Sequence, residues 1–263
     1  MASDRDRPGE IEHWRPDPAE VAALAVARAR VLERIEHAAG RAGRDPAAVH
    51  LVAVSKTVDA RRLRAAVAAG LDVLGENRVQ EALAKIDEIP GATWHLLGPL
   101  QSNKARRAVE AFAIIETVDS VELATRLDRI AGEIRPGRPL PVLLQVNVDA
   151  DPAKAGFGPA DLDRQLSGLL NLPNLEVRGL MTVGRLVDHA EAARSTFVAL
   201  RGLAETLRRS HPRLGADLSM GMSDDFTVAV EEGATIVRVG RAIFGERRTD
   251  RPGGAGRESG PVG

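Results

Sequence analysis

From Val49 onward the sequence repeats one rhythm: a short β-branched apolar run, a turn, an amphipathic stretch, then another apolar run. The runs fall at 51–55, 72–75, 94–97, 113–118, 141–148, 176–183, 217–220 and 235–239. Helical spacing predicts helices between them, at about 59–69, 78–88, 102–111, 120–134, 159–170, 188–209 and 224–231. Asp119, with Glu122 three residues on, reads as an N-cap for one of these. Eight strands alternating with helices imply parallel pairing through right-handed crossovers. Eight is also the number that closes a barrel, and a chain of 263 residues is long enough for one. An open doubly wound sheet would carry a G-x-G-x-x-G fingerprint after its first strand. Here that strand leads into Ser55-Lys56-Thr57-Val58-Asp59, with no glycine. The predicted fold is therefore α/β, a single (β/α)8 TIM barrel.

An extra helix is expected before the ring. Asp17 is its N-cap, Pro18 its first residue, and Glu20 follows three places after the cap. Val21, Leu24, Val31, Leu32 and Ile35 keep the helical period, and Gly40 is expected to end it. Residues 1–16 are polar and read as disordered, 17–248 as the barrel domain, and the glycine-rich 249–263 as a disordered tail.

Composition narrows the function classes. A net charge of −1 argues against a dedicated nucleic-acid binder, so Arg61-Arg62, Arg106-Arg107 and Arg208-Arg209 read as the wet faces of helices. The chain has no cysteine, which excludes disulfides, thiolate metal sites and cysteine nucleophiles. No apolar segment has the form of a signal peptide or a membrane span. A cytoplasmic protein is expected, with no nucleic-acid or membrane partner, and a barrel of this size can stand alone as a monomer.

In such barrels the chemistry sits at the C-terminal ends of the strands. The first run, Leu51-Val-Ala-Val-Ser, stops at Lys56. By strand alternation Val52, Val54 and Lys56 share one face. A desolvated amine loses its proton more readily and can attack a carbonyl; an ordinary lysine here would simply reach out to water. The second strand ends at Gly75-Glu76-Asn77, the third carries His95, and the sixth ends near Met181. The last two end at Ser219-Met220-Gly221-Met222-Ser223 and Arg238-Val239-Gly240-Arg241. Loops after strands seven and eight are the usual phosphate sites, and glycine lets backbone N–H groups approach the oxygens. Ser223 reads equally well as an N-cap. Asp224 and Asp225, expected in the first turn of the following helix, would repel a dianion. Phosphate is thus expected at Ser219 and at the Met220–Gly221 and Gly240–Arg241 backbones. A lysine facing a phosphate site across the ring suggests pyridoxal 5′-phosphate (PLP), which needs an amine for its aldehyde and a cradle for its phosphate.

Those segments, with Gly75-Glu-Asn-Arg-Val-Gln-Glu81, Trp94-His95, Gly98-Pro-Leu-Gln-Ser-Asn-Lys104, Lys154-Ala-Gly-Phe157 and Arg238-Val-Gly-Arg-Ala-Ile-Phe-Gly245, resemble the pyridoxal phosphate homeostasis protein family over about residues 20–245. The resemblance implies a barrel like the N-terminal domain of alanine racemase (PLP fold type III), an internal aldimine on Lys56, and Arg238 facing the pyridine nitrogen. The candidate cofactor-contacting residues are Lys56, Asn77, His95, Met181, Ser219, Met220, Gly221, Arg238, Gly240 and Arg241. It further implies a protein that buffers PLP or delivers it to PLP-dependent apo-enzymes. The competing reading is an amino-acid racemase or decarboxylase on the same scaffold. Racemases of this kind use a lysine and a tyrosine and the related decarboxylases a cysteine, and this chain has neither tyrosine nor cysteine. His95 is then the one nearby candidate for a second base.

Overall fold

The computed structural model describes residues 15–184 and 187–246. Eight parallel strands hydrogen-bond in sequence order and close on themselves. They are β1 His50–Val54, β2 Val73–Glu76, β3 Thr93–Leu96, β4 Ile114–Val118, β5 Leu140–Gln145, β6 Leu175–Met181, β7 Asp217–Ser219 and β8 Ile236–Val239. The helix α1, Pro18–Arg41, precedes the ring. The helices α2 Ala60–Ala68, α3 Val79–Ile86, α4 Ala105–Ala111, α5 Val121–Ile134, α6 Pro159–Leu170, α7 Arg194–Ser210 and α8 Phe226–Glu231 alternate with the strands, and a short α9, Arg241–Phe244, follows β8. The strand–helix rhythm thus closes into the expected barrel. The segments expected to be disordered lie outside the described residues, apart from Arg15 and Pro16.

Strands buried on both faces explain why the runs read as almost continuous apolar stretches. Every residue of β4 is buried. One face of the ring meets the helices through residues such as Leu63, Leu74, Leu96, Ile115 and Leu127. The other face fills the interior with Val52, Leu97, Leu143, Met181 and Ile236. Glycine is needed where this plug is tightest: a Cβ at Gly75 would stand 2.3 Å from Leu97 Cδ1 and 2.8 Å from Val52 Cγ1.

Helix ends follow local chemistry, with shifts from expectation. Asp17 caps α1, its carboxylate accepting the Ala19 N–H at 2.9 Å. The helix runs through Gly40 to Arg41 and is stopped by Gly43, which takes φ 64. The Arg44 N–H then returns to the Ala39 carbonyl at 2.9 Å. Gly40 does not end the helix because nothing there requires a left-handed residue. The cap of α5 is Ser120, one place after the expected Asp119, and its hydroxyl accepts the Leu123 N–H at 3.3 Å. No α9 was expected, since four residues are too few to show a period.

The helix α1 packs on α2, α8 and α9, and so covers the seam where β8 pairs with β1. Leu24, Val31, Ile35, Ala38 and Ala39 form its buried stripe. Arg41 pairs with Glu231 of α8 at 2.5 Å. Arg194 of α7 reaches Glu231 at 2.6 Å and Glu232 at 2.5 Å.

Candidate cofactor-binding site

The strand β1 ends at Val54, so strand alternation does not carry Lys56 onto the face of Val52 and Val54. Lys56 is instead the second residue of a tight turn from Ser55 to Val58. The Val58 N–H closes that turn on the Ser55 carbonyl at 3.1 Å. Thr57, the third residue, has φ 65, which gives the turn the sense of a type II turn at a position glycine usually takes. Lys56 is half-buried there. Its placement comes from the turn, and the pleat of β1 only brings the chain to the mouth of the ring.

The glycine loops after β7 and β8 were expected on the wall opposite the lysine, and they lie beside it. In a closed ring the eighth strand pairs with the first: Val52 stands opposite Arg238 and Ala53 opposite Val239. Gly240 continues that register against the end of β1, where a Cβ would come 3.3 Å from Val54 Cβ. The Gly240 N–H donates to Ser223 Oγ at 3.1 Å. Helix α9 starts at the next residue, and the first amides of a helix have no acceptor within it.

Ser223 is therefore at the mouth and not at a helix cap. The helix α8 begins at Phe226, and Asp225 precedes it, accepting the Met222 N–H at 2.6 Å. Asp225 is buried, and desolvation pushes its carboxyl above the ordinary range. Asp224 does not present a free negative charge to the mouth, because Arg241 is ion-paired with it. The same pairing takes the Arg241 side chain to the surface, with Glu246 3.6 Å away. Gly221 has φ 89, and a Cβ there would meet Ala229 Cβ at 2.6 Å and Phe226 Cα at 2.9 Å. Packing of the loop onto α8 requires that glycine.

Inside the ring a polar row links β3, β4, β7 and β8. His95 Nδ1 lies 2.7 Å from Glu116 Oε1, and since a carboxylate can only accept, Nδ1 carries the proton. Ser219 Oγ donates to Glu116 Oε2 at 2.5 Å. Arg238 Nη1 donates to Ser219 Oγ at 2.6 Å, and Nη2 to the Thr182 carbonyl at 2.7 Å. Burial lowers the pKa of Arg238, and the charges of Glu116 and Asp225 oppose that fall. Ser219, expected at the phosphate, thus has its hydroxyl proton directed to Glu116 and away from the mouth. Glu116 itself was missed by sequence reasoning. Its signal was a lone carboxylate in the otherwise apolar or small Ile114-Ile115-Glu116-Thr117-Val118, and nothing local names its partners.

Other candidates separate from the mouth. Met181 belongs to the apolar plug, and Met220 is fully buried in the core outside the ring, leaving only its backbone for a ligand. Asn77 is half-buried, its carbonyl so near that a Cβ at Gly98 would stand 2.2 Å from it. Asn147 caps its own loop, its amide donating to the carbonyls of Asp151 at 2.8 Å and Lys154 at 3.2 Å. Lys104 follows β3, and Lys154, bonded to the Val183 carbonyl at 3.1 Å, follows β5; both are away from the β8–β1 seam. What gathers at that seam is an amine, a hydroxyl and backbone amides. That set suits a ligand bringing a carbonyl for the first and an anion for the others.

The ring and the lysine turn at its mouth define a β/α-barrel of the alanine racemase N-terminal class. A family model described as alanine racemase, N-terminal domain, matches residues 26–248. The solved alanine racemase of Clostridium difficile 630 is similar in fold alone, with a TM-score of 0.68 at 15% identity over 87% of this chain and 58% of that one. Nearer relatives make the assignment specific. The pyridoxal phosphate homeostasis protein of Pseudomonas aeruginosa is 46% identical over 229 residues, 85% of this chain and 96% of that protein. PipY of Synechococcus elongatus PCC7942, whose structure was solved with PLP bound, has a TM-score of 0.74 at 46% identity, over 84% of this chain and all of its own. The chain belongs to the pyridoxal phosphate homeostasis protein family.

Proposed function

We propose that this protein binds pyridoxal 5′-phosphate reversibly at the β8–β1 seam and acts in the homeostasis of that cofactor, holding it and handing it to PLP-dependent apo-enzymes in the cytoplasm. The observation that carries the reading is the Ser55–Val58 turn, which sets Lys56 beside Gly240 and Ser223. When bound, the cofactor supplies an aldehyde that an amine can capture. Lys56 is the amine. Ser223 Oγ, the Gly240 amide and the opening amides of α9 are neutral donors suited to the phosphate. The pairing of Arg241 with Asp224 supports this, because it removes an anion that would repel a second one.

Arg238 is the group we assign to the pyridine nitrogen. A guanidinium stays protonated and can only donate, so it holds that nitrogen without a proton and keeps the ring a weak electron sink. Proton transfer on a bound amino acid would also need a second base. Tyrosine and cysteine do not occur in the chain, and the Nδ1 proton of His95 is committed to Glu116. These features favour a carrier over a racemase or decarboxylase. We further infer that the barrel acts as a monomer.

The test is the visible absorption spectrum of the purified protein with PLP, before and after borohydride, with peptide mapping of the adduct. A single adduct on Lys56 is expected. An adduct on Lys104 or Lys154 in its place would refute the assignment, and turnover of alanine or serine well above that of free PLP would refute the carrier.

A further inference from the structure

The turn that directs Lys56 is locally unfavourable. Thr57 is β-branched and has φ 65, a conformation that glycine or asparagine adopts more readily. Such a turn persists only where its surroundings hold it. Ser55 is where it is held. The Ser55 N–H donates to the Gly75 carbonyl at 2.9 Å. Its hydroxyl donates to Glu76 Oε1 at 2.8 Å, with the Gly75 carbonyl 3.1 Å away. Its carbonyl accepts both the Val58 N–H at 3.1 Å and Lys85 Nζ at 3.3 Å. Lys85 Nζ in turn lies 2.8 Å from Glu76 Oε1.

This cluster is on the outer, helix-facing side of β2, since Gly75 faces the plug and Glu76 is the next residue. An apolar side chain would fill such a place at least as well, because a buried ion pair gains little over a hydrophobic replacement. Glu76 is nevertheless fully buried, and its Oε2 has no hydrogen-bond partner among the described residues. Lys85 reaches in from α3 with its side chain 14% exposed. The charges do not touch the mouth. They grip both ends of one residue, the residue before Lys56.

We propose that Glu76 and Lys85 are positioning residues for the cofactor-bearing amine: a clamp on Ser55 that keeps the strained turn closed and so aims Lys56. The proposal rests on Lys56 being that amine. It is tested in the full chain with Lys85→Met, Glu76→Gln and Lys85→Arg. Without PLP, hydrogen exchange of the Val58 amide reports whether the turn stays closed. Exchange is expected to speed up in Lys85→Met and to stay near wild type in Lys85→Arg. With PLP, Lys85→Met and Glu76→Gln are expected to bind about tenfold more weakly, the scale of one charge-assisted hydrogen bond, and Lys85→Arg to recover most of the loss.

A pair that serves stability alone would lower the melting temperature and leave both Val58 exchange and PLP affinity at wild type; that result overturns the proposal. If Lys85→Met does not fold, Ser55→Ala takes its place and is expected to show the same loosening; wild-type exchange and affinity there would overturn it. If the wild-type protein fails to trap PLP on Lys56, the functional reading falls, while Val58 exchange in the PLP-free variants still decides whether the clamp holds the turn.

Discussion

Lys56 and Gly221 show how differently single residues can matter at one rim. Lys56 is half-buried in a turn, and no core packing depends on its side chain. Lys56→Ala is expected to abolish the borohydride-reducible adduct while shifting the melting temperature by only about 2 °C, within the range of a surface substitution. An adduct surviving in that variant would move the attachment elsewhere. Gly221→Ala meets two obstacles at once, a φ of 89 and an Ala229 methyl 2.6 Å from the new Cβ. It should cost about 2 kcal/mol in urea unfolding and weaken PLP binding, because the loop carrying Ser223 must move. A stability equal to wild type would mean that the loop yields without strain.

At the scale of elements, the polar row inside the ring ties four strands that are not all neighbours. His95 of β3 and Glu116 of β4 are joined through Ser219 of β7 to Arg238 of β8. Each member is buried, so removing one charge leaves another without compensation. Glu116→Gln keeps the shape and removes the anion. It is expected to lower the unfolding free energy by about 3 kcal/mol, measured by chemical denaturation. A loss below about 1 kcal/mol, the scale of a neutral hydrogen bond, would show that Arg238 draws its compensation from elsewhere.

For the whole molecule the vulnerable line is the β8–β1 seam, which α1 covers. Beyond its apolar stripe, α1 is fastened by Arg41 to Glu231, which also binds Arg194. Hydrogen bonds from Arg194, then from Arg41, hold the Glu231 carboxyl below its ordinary value of 4.5. A carboxyl depressed in the folded state contributes stability above its unfolded value and loses it as pH falls through the lower folded value. The clasp should therefore be intact at neutrality and weaken progressively below 4.5. Melting temperatures followed downward in pH should fall less steeply below that point in Glu231→Gln than in wild type. Parallel curves would assign the acid sensitivity to other carboxylates.

The barrel was legible because its signal is distributed. Eight apolar runs and their amphipathic partners each repeat a period, and a ring is the arrangement that satisfies all of them, so errors of a residue at Gly40 or Asp119 did not matter. Composition likewise fixed what side-chain chemistry is absent, and the lysine and glycine segments were readable as local text. What only folding decided were relations between distant residues. Closure makes β8 the neighbour of β1, so the glycine loops stand beside Lys56 and not across from it. Ser219 and Glu116 became partners only when β4 and β7 faced each other across the interior. The direction of Lys56 depends on a threonine held at a positive φ by a carboxylate and a lysine two elements away. No local preference encodes that turn, because threonine resists it; the energy that holds it comes from contacts the chain makes only after the ring has formed.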